Sequence, residues 1–510
     1  MANHIVSDAK PRRWRRALLA TALLATAMQA PAIPPRAAAM PSHAPAGHAN
    51  ATAAERPNIV VILVDDLGWP DVSTYGRATV PTPNIDRIAR TGTAFSSGYV
   101  AASVCAVSRA GLLTGRMPQR FGFMYNITDD DGAGGGDKGA GLPPSEKTIA
   151  ERLKPLGYRT AAIGKWHQGA EDRFYPTNRG FDEFFGFLAG ETIYVDPKTP
   201  GMVTTPTKAD KGKPPFTERR LNGRIIEGAD RRPVNDFSKY LTDEITDRAV
   251  DFIDRSATSR APFFTYVAYN APHWPLQVPQ AWYDRFPQIK DPARRTYVAM
   301  IAAMDAGVGR ILDTLEAKGL RQNTLVVFLA DNGCPVQFGF CDEGHPWGAG
   351  KFTYLEGGIR VPFMMSWPAQ LKPHATVDTP VSSLDIMPTI LHAAAPSAPL
   401  PAGLDGIDLL RTVEHAPKVP RTLVWGQAPV YAARRGSMKY WRSDDWKEAH
   451  LYDLESDAWE KADVSASQST TRKQLDGAIE AWRNTLPTPS WSHGQTRPVT
   501  IGGRKTEWVY

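Results

Sequence analysis

Two stretches of the chain are nearly unbroken apolar runs, Asn58–Val64 (NIVVILV) and Thr324–Ala330 (TLVVFLA). Neither leaves a face for water, so each predicts a strand covered on both sides, the kind that fills a parallel sheet. Shorter runs at Tyr158–Ile163 and Phe263–Tyr269 predict two more strands. Between these, apolar positions recur at helical spacing over Asn84–Thr91, Thr148–Leu156, Tyr240–Ser256 and Arg294–Ala317. Strands alternating with helices predict an α/β fold: a large, mostly parallel or mixed sheet flanked by helices on both faces.

Each predicted strand runs into polar residues. Asn58–Val64 ends in Asp65-Asp66-Leu67-Gly68, and Thr324–Ala330 ends in Asp331-Asn332-Gly333. The other two lead to Gly164-Lys165-Trp166-His167 and Asn270-Ala271-Pro272-His273. Ligands of open α/β sheets bind beyond the carboxyl ends of the strands. Polar groups there are costly to bury alone, so residues far apart in sequence are expected to converge on one rim. Asp65, Asp66, Asp331 and Asn332 would bring four hard oxygen donors together. Crowded carboxylates need a cation, and oxygen-only ligands favour Ca²⁺ or Mg²⁺ over Zn²⁺. Either pair alone reads as a helix cap or a turn; two pairs on matching strand ends favour a metal.

The pattern changes towards the C-terminus. Thr422–Trp425, Val430–Ala433, Met438–Trp441 and His450–Leu454 are short strand candidates separated by turn residues. With an amphipathic stretch at Gln474–Leu486, they predict a short antiparallel sheet carrying one helix. The expected organisation is a catalytic domain over 57–418 and a smaller domain over 419–510. Residues 191–236 lack periodicity and hold Lys208, Lys211, Lys213, Arg219, Arg220, Arg224, Arg231 and Arg232. They read equally as a surface for an anionic polysaccharide and as a solvated loop, since acidic residues are interspersed.

The N-terminus reads as a leader. Basic residues at 10–16 precede an apolar run, Ala17–Ala27, and then small residues with A-x-A sites ending at Ala32 or Ala39. This predicts a signal peptide over 1–39, and the Arg12-Arg13 pair leaves Sec and twin-arginine routes open. The run is shorter than the ~20 residues that span a bilayer, so no stable membrane anchor is expected. Residues 40–56, rich in Ala, Pro and His, predict a disordered linker. The formal net charge is +6, but most of it lies in the leader, so nucleic acid is not an expected partner. An exported, periplasmic or secreted protein is the expectation. There Cys334 and Cys341 can pair, which leaves Cys105, the third cysteine, single.

Cys105 lies in Ser103-Val-Cys-Ala-Val-Ser-Arg-Ala-Gly-Leu-Leu-Thr-Gly115. This segment resembles the Cys-x-Pro-Ser-Arg signature of the type I, formylglycine-dependent sulfatases of the alkaline phosphatase superfamily. Val64-Asp-Asp-Leu-Gly, Thr114-Gly-Arg, Gly164-Lys-Trp-His, Ala271-Pro-His, Ala330-Asp-Asn-Gly, Glu356-Gly-Gly-Ile-Arg-Val-Pro and Leu451-Tyr-Asp-Leu resemble further blocks of that family, in its order. The resemblance implies a sulfuric ester hydrolase whose Cys105 is oxidised to formylglycine by a maturation enzyme. It implies that the hydrated aldehyde attacks sulfur and then collapses to expel sulfate. It also implies one Ca²⁺ held by Asp65, Asp66, Asp331, Asn332 and the modified Cys105. Arg109 matches the arginine that steadies this centre, and Lys165 and Lys351 match lysines on the sulfate oxygens. His273 matches the histidine that protonates the departing alcohol, and His167 the one that assists the collapse.

One departure matters. Val107 stands where the family motif has Pro or, less often, Ala, although Val still favours the extended backbone that the maturation enzyme reads. The preferred substrate is a sulfated carbohydrate, with an aryl sulfate next. One alternative is a phosphonate monoester or phosphodiester hydrolase of the same superfamily. The other is an inactive sulfated-glycan-binding protein, should Cys105 stay unconverted. Trp347 and Tyr354 flank Lys351 and read equally as ring-stacking residues and as core.

Overall fold

The computed structural model describes residues 56–76, 81–127, 139–215, 223–234, 239–341, 347–415, 419–492, 496–501 and 504–509. The predicted leader and linker, along with Arg219 and Arg220, lie outside them. Arg56, at the linker's end, is half-buried and donates to the Leu156 carbonyl at 2.6 Å.

The two apolar runs form central strands with the predicted bounds, paired parallel from Asn58↔Thr324 to Val64↔Ala330. Phe263–Ala268 lies on the other side of Asn58–Val64, followed by Arg159–Lys165 and Glu183–Phe187, all parallel. Phe363–Ser366 runs antiparallel beside Thr324–Ala330, which makes the sheet mixed. Short edge strands complete an order of ten among the described residues: 375–377, 93–95, 363–366, 324–330, 58–64, 263–268, 159–165, 183–187, 226–227 and 232–233.

Alternation along Asn58–Val64 sorts its side chains between two cores. Val60, Ile62 and Val64 pack under Pro83–Arg90, Leu241–Ala257 and Pro292–Ala317. Ile59, Val61 and Leu63 face Cys105–Thr114, Ile149–Leu153 and Ile386–Ala394. Every residue of Thr324–Ala330 is buried, as a strand covered on both faces requires.

The helix expected over Thr148–Leu156 is shorter than predicted. Thr148 caps it with a capping box, and Pro155 helps turn its last three residues into a 3₁₀ segment. The segment 191–236 holds short strands the sequence did not announce; Met202–Thr205 pairs antiparallel with Leu276–Pro279.

The C-terminal strands are Thr422–Gln427, Val430–Arg435, Met438–Ser443 and Glu448–Asp453, all antiparallel. Helix Ser469–Arg483 lays Leu475 and Ile479 on Tyr431, Ala433, Tyr440 and Leu451. The sheet is joined to the larger core, where the Trp425 indole donates to the Val100 carbonyl at 2.8 Å. A hairpin, Thr496–Ile501 with Arg504–Val509, follows. Among the described residues, no helix is long and apolar enough to cross a membrane.

Candidate active site

Because Val64 and Ala330 are in register, the chain leaves both central strands at one place. The Asp331 amide donates to the Val64 carbonyl at 2.9 Å, and the Asp66 amide lies 3.3 Å from the Asp331 carboxylate. Asp66 sits at φ 63°, a left-handed turn that L-residues with side chains rarely adopt. That turn ends the strand and brings the carboxylate back over the rim. Asp65, Asp66, Asp331 and Asn332 are all buried there.

Neighbouring strand ends bring the cations. Lys165 closes its strand with Nζ 2.5 Å from Asp65. After Phe263–Ala268 the chain turns through Asn270–His273, and His273 Nε2 reaches to 3.6 Å from Asp66. The Tyr194 hydroxyl braces this turn, 2.7 Å from the Asn270 carbonyl and 2.9 Å from that of His273. Lys351 arrives on a loop pressed against the end of the strand that leads to Asp331 and Asn332. Its amide donates to the Cys334 carbonyl at 3.0 Å. Close approach is possible because a Cβ on Gly333 would lie 1.8 Å from the Gly357 carbonyl oxygen; only glycine fits.

Cys105 is the first residue of helix Cys105–Thr114 and is buried. Its Sγ lies 3.5 Å from Asp65 Oδ1 and 3.0 Å from Lys351 Nζ, which also sits 2.7 Å from Asp66. One turn on, Arg109 grips Asp331 through Nε at 2.9 Å and a terminal nitrogen at 2.8 Å, and donates to the Lys165 carbonyl at 3.1 Å. At the helix start the Ala106 amide donates to Asn126 Oδ1 at 3.0 Å. His167 is set slightly apart: its Nε2 is 3.1 Å from the Ile127 carbonyl, and its buried Nδ1 has no partner among the described residues.

Three buried carboxylates thus face Lys165, Lys351, Arg109 and His273. Burial alone would raise the Asp65 carboxyl, but the charges of Lys165, His273, Arg109 and Lys351 hold it well below the usual range. Asp331 is pushed up, by burial and by the charge of Asp65, against the pull of Arg109. Burial opposes a charged His273, yet Asp65 and Asp66 outweigh it and raise the imidazole to about 9. His167 is held neutral by burial and by Lys165.

The donor set fits a hard divalent cation. Asp65, Asp66 and Cys105 offer ligand atoms that, with one from His273, all lie within 4.8 Å of one another. Asp66 Oδ2 and Asn332 Oδ1 are buried with no hydrogen-bond partner among the described residues. Such oxygens are expensive to bury unless something positive meets them. The opposed shifts of Asp65 and Asp331 are the like-charge strain that a cation relieves.

All ten residues singled out from the sequence therefore lie on or beside one rim. Three supporting residues were not foreseen: Asn126, Tyr194 and Gln168. The Gln168 amide donates to the carbonyls of Ala106 at 2.8 Å and His167 at 2.6 Å, bracing the helix that begins at Cys105. None lies in a block with a chemical signature, so only spatial proximity reveals them. The ring-stacking reading of Trp347 and Tyr354 gives way to core packing. Both are buried, and Trp347 lies edge-on to Trp69 and under the Arg360 guanidinium. Cys334 and Cys341 form a disulfide, and Cys105 is free.

A profile of the family described as Sulfatase matches residues 57–396. Arylsulfatase G of Rattus norvegicus is 33% identical over 424 residues, covering 78% of this chain and 77% of the relative. N-acetylgalactosamine-6-sulfatase of Mus musculus is 32% identical over 416 residues, covering 81% and 75%. Among solved structures, Ps i-CgsB in complex with k-i-k-neocarrahexaose superposes with a TM-score of 0.75 at 32% identity, covering 86% of this chain and 95% of that one.

Proposed function

The chain belongs to the sulfatase family, and from that premise we infer that it hydrolyses sulfate monoesters of carbohydrates at the rim around Cys105. The observation that carries the reading is the free, buried Cys105, with its Sγ between Asp65 and the Lys351 ammonium. Its sulfur stands in for the side-chain oxygen of a formylglycine hydrate. Once converted, residue 105 would supply the attacking oxygen; Asp65, Asp66, Asp331 and Asn332 would hold a Ca²⁺, whose charge would favour the deprotonated form of such an oxygen.

The chain's own residues supply the rest. Lys165 and Lys351 bind sulfate oxygens and offset the charge that develops as the ester bond breaks. Arg109 fixes Asp331 and the Lys165 backbone, so metal side and lysine side keep one spacing. His273, whose Nε2 reaches to 3.6 Å from Asp66, gives its proton to the leaving alcohol oxygen. His167, neutral, takes a proton at Nδ1 when the intermediate on residue 105 breaks down. The carbohydrate preference rests on the relatives, one named for N-acetylgalactosamine 6-sulfate chemistry and one solved with a neocarrahexaose.

Folded Cys105 is helical and buried. A maturation enzyme that reads an extended segment therefore acts before this helix forms. The disulfide fits the oxidising compartment to which a leader over 1–39 would deliver the chain. Residues 57–418 would then form the catalytic domain and 419–510 a supporting one. Peptide mass spectrometry of protein made with the maturation enzyme should find formylglycine at 105. A calcium-supplied assay should release sulfate from a sulfated saccharide and from an aryl sulfate. Turnover of an aryl phosphonate with neither sulfate ester cleaved would overturn the reading.

A further inference from the structure

The segment after Met202–Thr205 lies between two stretches that border the site, Trp274 next to His273 and the turn Val336–Phe338. Asp210 anchors it: its buried carboxylate accepts from the Thr207 amide at 2.7 Å, the Thr207 hydroxyl at 2.8 Å and the Trp274 indole at 3.1 Å. Trp274 directly follows His273, and Leu276–Pro279 beyond it pairs with Met202–Thr205. The loop is therefore tied to the side that carries His273. On its other side the 3₁₀ turn Lys208–Asp210 packs on Val336–Phe338, inside the disulfide loop that follows Asn332. Gly339 makes room there, since a Cβ would lie 2.6 Å from Lys208 Cε.

This bridge holds three exposed lysines at the opening. Lys208, Lys211 and Lys213 have no ion-pair partner among the described residues, and Lys213 Nζ lies 5.7 Å from the centre of the Trp274 ring. A solvated loop needs no buried carboxylate to fix it between two rims of a site. Ammonium groups held on an anchored loop beside a cleft focus a positive potential on whatever enters.

We propose that the Lys208–Lys213 loop is an anion subsite. It selects substrates that carry a second negative group, a sulfate or a uronate carboxylate, on the sugar next to the scissile ester. The proposal rests on the sulfatase reading, because it takes the cleft beside His273 as the substrate's path.

The test uses Lys211→Gln with Lys213→Gln, exposed changes that leave the Asp210 anchor intact. In Cys105→Ala protein, calorimetry measures binding of a polysulfated galactan tetrasaccharide and of its monosulfated counterpart. The lysine changes should weaken the polysulfated ligand about tenfold or more and flatten its salt dependence, with little effect on the monosulfated one. A monosulfated tetrasaccharide carrying a uronate separates the two anion sources: a loss with this ligand as well means that any second anion is read. In the active enzyme, kcat/KM should fall on the polysulfated tetrasaccharide through KM and hold on a small aryl sulfate. Equal losses on all ligands, or none, would overturn the subsite. A wild type that binds these ligands with the expected contrast but releases no sulfate would instead overturn the sulfatase reading.

Discussion

At the scale of single residues, the centre is a balance of buried charges. Lys351 touches Asp66 and the Cys105 sulfur at once, so its replacement should be felt twice. Lys351→Met should lower kcat by about 10² or more, the scale of losing one charge-stabilising donor. It also strands a buried carboxylate, so melting measured without calcium should show a loss of several kcal/mol that added calcium partly restores, of the order of ~3. An unchanged kcat would remove Lys351 from the machinery. Val107 belongs to the same scale but to an earlier moment. In the folded helix it is buried beside Ala102, Val104 and Phe123, and as the third residue its amide precedes the intrahelical ladder. Proline there breaks no helix bond and restores the family's motif. Val107→Pro should raise the formylglycine fraction measured by peptide mass spectrometry and shift stability by no more than about 1 kcal/mol. An unchanged fraction would mean that Val already serves the maturation enzyme.

Between elements, a buried ionic cluster joins the C-terminal sheet to the turn that follows Lys351. Lys439 lies 2.9 Å from Glu356 and 2.8 Å from Glu460, and Arg360 and Arg434 approach Glu356 at 3.2 and 3.8 Å. Two carboxylates share one ammonium, and burial, aided by the charge of Glu356, lifts Glu460 to about 7 from its usual 4.5. The folded state then binds a proton more tightly than the unfolded chain, so stability is highest below pH 4.5, falls as pH rises towards 7, and levels off above it. The full span is about 3 kcal/mol. Glu460→Gln should flatten that part of the stability–pH curve in denaturant titrations at pH 5 and 8; parallel curves for variant and wild type would refute the shift. This link was not legible in sequence. Asp65, Asp331, Lys165 and His273 could be read because each ends an apolar run, and a run's end fixes where a side chain emerges. The four C-terminal strands were legible by their turns. Glu356 sat in a recognised block without a partner, and Glu460 in an exposed-looking acidic stretch; only the packed sheet brings Lys439 between them. The same limit hid Asp210 and Tyr194, which act by holding His273 and Trp274 from an insertion with no periodicity.

For the whole molecule, the disulfide decides how firmly the two halves of the site hold together. Cys334 follows Asp331 and Asn332, and its carbonyl receives the Lys351 amide. Cys341 closes the short loop, seven residues on, that supports the lysine-bearing turn at Lys208–Asp210. Two consequences separate on removing the bond. A freed loop of this length gives the unfolded chain extra entropy worth about 2 to 3 kcal/mol, which lowers the melting temperature whatever the site does. Cys334→Ser with Cys341→Ser should also lower calcium affinity and raise KM, because Asn332, Lys351 and the lysine turn lose a common support. Mild reduction of the wild type should reproduce both changes, since Cys105 is buried and, once converted, carries no thiol. If the melting temperature falls but calcium affinity and KM hold, the bond only stabilises the fold. If all three move together, export to an oxidising compartment is part of assembling the site, because only there does the strand end that binds the cation stay fixed to the lysine that faces the nucleophile.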